Sequence, residues 1–171
     1  MPTPTGNAFP DLLRGNFLFP PVILLRRLCL DQVGIFDENP DFYGVEDYEL
    51  WLRIAARFPF LHLPGDVAAI RRHENSISSH FTIHKSRVLR VLQHIEKLHP
   101  DLTRTYRQQL YEGYARNYGG LALAQLRQHQ ILPALNNGRL AFSYVLRKPR
   151  MGVQAFVAWW KRRKQRRAAQ V

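Results

Sequence analysis

Apolar positions along this chain follow two different patterns, and the change falls near residue 80. In the first half they come as short runs between prolines and glycines. Leu18, Phe19, Val22, Ile23, Leu24 and Leu25 form one such run, broken by Pro20 and Pro21, which predicts a short buried strand over 22–25. Pro2, Pro4, Gly6, Pro10 and Gly15 precede it and argue against a helix through the opening stretch. Residues 26–33 read as a short helix stopped by Gly34, where a left-handed backbone suits glycine. A turn-rich loop follows, with Asp37, Asn39, Pro40 and Asp41. The clearest helix of this half is predicted over 46–58, preceded by Gly44 and ended by Pro59. Its inward face is Trp51, Ile54, Ala55 and Phe58, at i, i+3, i+4 and i+7. Two short strands, over 60–63 and 67–71, are expected on either side of Pro64, Gly65 and Asp66.

From Phe81 onward the period is helical. Ile83, Val88, Leu89, Val91, Leu92, Ile95 and Leu98 mark one helix, closed by Pro100. Asp101 is placed to cap the next, which carries Leu102, Tyr106, Leu110, Tyr111 and Tyr114 and is expected to break at Gly119 and Gly120. Residues 121–130 and 133–146 then read as an antiparallel helix pair, with Pro133 near the second start. Near the C-terminus Val153, Phe156, Val157 and Trp160 recur at i, i+3, i+4 and i+7, with Trp159 beside them. Six cations and one glutamine fill 161–167.

Charge sharpens the division. The 171 residues carry 25 Lys and Arg against 13 Asp and Glu, a net of +12. Residues 1–80 hold seven of those cations and ten of the acids, a net of −3, whereas 81–171 nets +15. Such asymmetry points the second half toward an anionic partner. Hydrophobic residues at 46% are ordinary for a globular chain and exclude wholesale disorder. No apolar run reaches the ~18–20 residues of a membrane span, and residues 1–10 have no secretory pattern. With Cys29 as the single cysteine, an internal disulfide and a cysteine-based zinc site are both excluded, which suits a reducing compartment.

Candidate chemistry lies in the first half. Glu46 and Asp47 occupy a helix first turn, where the macrodipole alone favours acids. Asp47 also sits four residues before Trp51, so it shares the side of the apolar stripe. Glu49 and Arg53, spaced i, i+4, suit a solvated ion pair. Arg71, Arg72 and His73 leave the last expected strand together; they are either a solvated strand end or a phosphate cradle, since guanidinium matches phosphate oxygens bidentately.

Four blocks, in this order and spacing, resemble the family 2 glycosyltransferases of the GT-A fold. They are Asn16 to Arg27 (NFLFPPVILLRR), Val33-Gly34-Ile35-Phe36-Asp37-Glu38, Glu46-Asp47-Tyr48-Glu49-Leu50-Trp51-Leu52-Arg53, and Arg71-Arg72-His73 with Ser76 to Ser78. The resemblance implies that Asp47 is the catalytic base and Glu46 orients the acceptor. It places Arg71 and Arg72 on the donor diphosphate and His73 as a ligand of Mg²⁺ or Mn²⁺. It also implies a nucleotide-diphospho sugar donor and a carbohydrate or glycolipid acceptor of cell-surface polysaccharide synthesis. The chain departs from the family in lacking an Asp-x-Asp motif and a glycine-rich phosphate loop, and Ile70 replaces a common tyrosine. The expectation is therefore the C-terminal catalytic portion of a larger enzyme.

The expected fold class is α+β. A GT-A-like α/β remnant over 1–79 would be followed by a helical region over 80–148 and a basic amphipathic tail over 149–171. Through Trp159, Trp160 and its cations that tail suits an anionic membrane surface, making the protein cytoplasmic and peripheral on the inner membrane face. A docked helix with a basic end is the plainer alternative. A nucleic-acid arm is a third, with no helix-turn-helix spacing, RNP motif or zinc knuckle to favour it. A non-catalytic helical adaptor derived from such an enzyme is the competing function.

Overall fold

The computed structural model describes residues 5–65, 68–69 and 81–147. Among them are seven α-helices: α1 (Phe9–Arg14), α2 (Arg27–Val33), α3 (Glu46–Ala55), α4 (Phe81–Leu98), α5 (Pro100–Thr105), α6 (Arg107–Arg127) and α7 (Ile131–Leu146). Two 3₁₀ turns, Pro20–Val22 and Pro40–Phe42, complete the regular structure.

The expected α+β class, with its GT-A-like α/β remnant, is not found: the described residues hold no strand and form a helical fold. The reason is one of pairing. Pro20 and Pro21 build the 3₁₀ turn, after which the chain is extended, with Ile23 at φ −107°, ψ 127° and Arg26 at φ −74°, ψ 135°. The local conformation predicted over 22–25 is thus partly present, but among the described residues no second strand lies beside it to complete a ladder. At 60–63 only Phe60 pairs, exchanging hydrogen bonds of 2.6 and 2.7 Å with Gly6 in one isolated antiparallel bridge, while Leu61 and Leu63 face solvent. Of the strand expected over 67–71, residues 67, 70 and 71 lie outside the described residues, and 68–69 form no strand.

Other departures follow from where backbone restrictions fall. A helix does form in the opening stretch, because Pro10 falls in the first turn of α1, where its missing N–H leaves no bond unmade. Helix α6 runs unbroken through Gly119 and Gly120. There the glycines provide close approach: Gly120 is buried beside Phe81 and Lys85, and Gly119 faces the Cβ of Ala141. Asp101 lies inside the first turn of α5 and is not its cap; His99 is the N-cap residue. Helix α2 ends as expected at Gly34, whose φ is +85°.

One apolar core joins helices from both sides of residue 80. Phe9, Leu12 and Leu13 of α1, Leu50, Leu52 and Ile54 of α3, Val91, Leu92 and Ile95 of α4, and Leu110 and Tyr114 of α6 are all buried in it. Trp51 belongs to it too, as the periodicity required. Helix α3 is enclosed on most sides, so its local stability comes from tertiary packing rather than from propensity. Helices α6 and α7 pack as the antiparallel pair expected, joined by a turn in which His129 has φ +58°. No described helix is long and apolar enough to cross a membrane.

Candidate functional site at the α3 N-terminus

The chain enters α3 through Gly44, held at φ +78°, and Val45, which provides no side-chain cap. The first turn carries Glu46, Asp47 and Glu49 beside its open backbone N–H groups, a placement of acids the helix dipole favours. Asp47 accepts a hydrogen bond at Oδ1 from the Tyr48 N–H, 2.7 Å away. Its carboxyl is held above the ordinary carboxylate range, chiefly by partial burial and in part by the neighbouring Glu46. The Tyr48 N–H and the Asn16 side chain oppose that rise by stabilising the ionised form.

Asn16 thus meets Asp47 from thirty-one positions upstream, its own Oδ1 accepting from the Leu18 N–H at 3.0 Å. Glu46 stands next to the pair with Oε2 buried and without a hydrogen-bond partner. Tyr48, fully buried, fixes the base of this turn by donating its hydroxyl to the Leu12 carbonyl of α1 at 2.6 Å. Asp47, half-buried on this first turn and raised in pKa, can accept a proton from a hydroxyl compound, whereas the unpartnered Glu46 oxygen is closed to solvent.

One turn further, the Glu49–Arg53 pair is not the solvated pair its spacing suggested. Glu49 has no exposed surface, and Arg53 donates to it twice, from Nε at 2.7 Å and Nη2 at 2.8 Å. The guanidinium also donates to the carbonyls of Val33 and Ile35 on either side of Gly34. So α3 holds a piece of each of two upstream sequence blocks, Asn16 at its mouth and Val33 to Ile35 at its middle. Arg71, Arg72 and His73, and likewise Trp159 and Trp160, lie outside the described residues.

Several contributing residues carried no visible signal in the sequence. Arg87, Arg90 and His94 form a row on α4, at i, i+3 and i+7, that clasps the loop leading into α3. Arg87 donates to the Tyr43 carbonyl at 2.7 Å, Arg90 pairs with Asp41, and the His94 ring meets Phe42 edge-on with centroids 5.3 Å apart. His94 Nε2 also comes within 3.6 Å of Glu49 Oε1.

Asp37, Glu49 and His94 bring ligand atoms within 4.8 Å of one another. They do not fit a Mg²⁺ or Mn²⁺ centre, because both Glu49 oxygens are already committed to a guanidinium and oxygen donors are too few. A cavity of about 270 Å³, lined by Asn7, Ala55, Ala56, Arg57, Phe58, Pro59 and Leu102, lies at the opposite end of α3 from Asp47. Comparison with protein-family models, with curated proteins and with solved structures returns no match for this chain.

Proposed function

We propose that this chain contributes the acceptor-activating carboxylate of a glycosyl transfer of the family 2 type. The observation that carries the reading is the first turn of α3, where Asn16, Glu46 and Asp47 converge and the Asp47 carboxyl is raised in pKa. Asp47 takes the proton of an acceptor hydroxyl as that oxygen attacks C1 of a nucleotide-diphospho sugar. The C1–O bond to the diphosphate breaks, the nucleoside diphosphate leaves with the bonding pair, and the configuration at C1 inverts. A raised pKa makes Asp47 a stronger proton acceptor than an ordinary aspartate. Glu46, the neighbouring acid of the same first turn, orients the acceptor sugar.

In the same reading Arg71 and Arg72 face the leaving diphosphate, and Mg²⁺ or Mn²⁺ enters only through His73. The acceptor is a carbohydrate or glycolipid of cell-surface polysaccharide synthesis, and Trp159, Trp160 and the cations of 161–167 keep the protein peripheral on an anionic inner membrane face. The test is transfer of labelled sugar by the chain, and by any longer protein that contains it, with Asp47→Asn and Glu46→Gln. Transfer undiminished in Asp47→Asn rejects the base assignment.

A second reading, a non-catalytic helical adaptor, draws support from the helical architecture of the described residues, which has no sheet on which to seat a nucleotide. It predicts no heat of binding when nucleoside diphosphates and Mn²⁺ are titrated into the protein. Metal-dependent binding eliminates it.

A further inference from the structure

Helix α7 turns one side to α6 and leaves the other bare. Ala134 is buried, Asn137 donates to Gln125 at 2.8 Å, Ala141 meets Gly119, and Tyr144 stacks on Tyr114 and Tyr118. On the far side, Leu132, Leu135, Arg139, Phe142 and Leu146 recur at alternating spacings of three and four residues. At 3.6 residues per turn these five fall within about 80° of the helix circumference and extend for roughly 21 Å along it. The four apolar members are among the most exposed large side chains of the protein: Leu132 80%, Leu135 63%, Phe142 61% and Leu146 66%.

Charge says what covers this stripe. Beyond Glu112 the chain contains no acidic residue, and residues 113–171 hold twelve Lys and Arg, so this stretch accounts for the whole net charge of +12. Arg139 stands at the midpoint of the stripe, seven residues from either end, with Arg127 before α7 and Arg147 just past it. A second copy of the chain fits poorly. Whether two stripes paired parallel or antiparallel, their centres would set two Arg139 guanidiniums face to face in an apolar seam. An anionic lipid surface fits on both counts, since acyl chains receive leucine and phenylalanine while cations snorkel to the headgroups.

We infer that the outer face of α7 is a lipid-contacting surface, lying in the headgroup–acyl boundary of an anionic membrane with Leu132, Leu135, Phe142 and Leu146 inserted. The face extends to a folded helix the membrane attachment proposed for the basic tail, and it does not depend on the chemistry of Asp47. It lies flat and does not span.

The experiment uses the full chain with phosphatidylserine–phosphatidylcholine vesicles and, for comparison, phosphatidylcholine alone. In a Cys29→Ser background, Phe142→Cys is labelled with an environment-sensitive fluorophore. Its emission is expected to shift to the blue with phosphatidylserine vesicles and to be quenched by lipids brominated in the acyl chain. Leu135→Gln with Phe142→Gln is expected to weaken vesicle binding by about tenfold. Both substitutions lie on exposed positions, so the circular dichroism of the fold is retained.

Flotation with an unshifted label overturns the inference, because the tail then binds alone. Self-association that the same double substitution abolishes also overturns it, because a second copy then covers the stripe. No flotation at all removes both α7 and the tail as membrane contacts. Neither sugar nor nucleotide enters the measurement, so any of these results leaves the reading of Asp47 standing.

Discussion

Arg53 reaches back one turn along α3 to hold both oxygens of Glu49, a carboxylate with no exposed surface. The same guanidinium closes the carbonyls of Val33 and Ile35, so one side chain ties α3 to the segment that ends α2. An exposed pair at this spacing contributes little, but removing one partner of a buried pair leaves a charge that water cannot reach. Arg53→Met is therefore expected to cost about 3–5 kcal/mol in urea unfolding. Glu49→Leu combined with Arg53→Met should recover part of that loss, though not the part owed to the two carbonyls. A cost below about 1 kcal/mol for Arg53→Met would mean that water, and not the guanidinium, solvates Glu49.

Gly113 lets α6 cross α1 at close range. A Cβ at this position would overlap the carbonyl oxygen of Leu13 and crowd Leu92, and backbone cannot move aside as a flexible side chain can. Gly113→Ala is expected to destabilise by about 1–3 kcal/mol through this overpacking. Gly138, in the middle of α7, has nothing within 4 Å of the same position. There Gly→Ala should stabilise by about 0.5–1 kcal/mol, as expected for an unhindered helical site. Opposite signs in thermal unfolding check the α1–α6 contact independently of any function.

The helical half of this fold was legible because its signals are local. The apolar stripe of α4 and the glycine that ends α2 each act within a few residues, and both expectations hold. The strand expectations over 22–25 and 60–63 failed for the opposite reason. A strand is completed by a neighbour, and no periodicity in Ile23 to Leu25 can say whether one is there. Gly119 and Gly120 misled in a third way, since a glycine that breaks a helix and one that lets another helix approach look the same in sequence. At the candidate site, the acids of the α3 first turn were readable from spacing. The arrival of Asn16, the burial of Glu49 and the row Arg87, Arg90 and His94 were not, because each is a tertiary contact between residues far apart in the chain.

Two histidines should make the fold acid-sensitive. His84 is held below the ordinary imidazole pKa by burial and then by Lys85 and Arg87. His99 is lowered by burial and then by Arg57, with Glu49 working the other way, and its Nε2 is buried without a partner. Both are thus favoured neutral in the fold, whereas the unfolded chain takes up protons near the ordinary value of ~6.5. The unfolded state binds more protons as pH falls below that value, so the stability these groups confer is present above it and is lost toward the depressed folded pKa values. The urea midpoint should fall between about pH 7.5 and about pH 5.5, and fall less in His84→Gln combined with His99→Gln. An unchanged slope in the double variant would assign the acid sensitivity to other groups.

Asp47 predicts a separation between stability and activity. Its raised pKa means that the fold prefers the protonated carboxyl, so the stabilisation it gives is complete below the unfolded value and is lost as pH rises through the folded one. Above that folded value the ionised Asp47 is therefore a small liability. Burial penalises its charge and Glu46 repels it, although solvent screening of this half-exposed group keeps the penalty small. Asp47→Asn keeps an oxygen for the Tyr48 N–H and removes the charge, so above the folded pKa it should stabilise the protein by about 0.5–1 kcal/mol. The gain should vanish in acid, where Asp47 is already neutral. If Asp47 is the proton acceptor in glycosyl transfer, the same substitution should lower kcat by roughly 10²–10⁴. The acidic limb of the wild-type rate profile should also lie above the ordinary carboxylate range. An Asp47→Asn protein less stable than wild type would show that the carboxylate's interaction with the helix dipole outweighs its burial, and unchanged kcat in the same variant would remove its catalytic part.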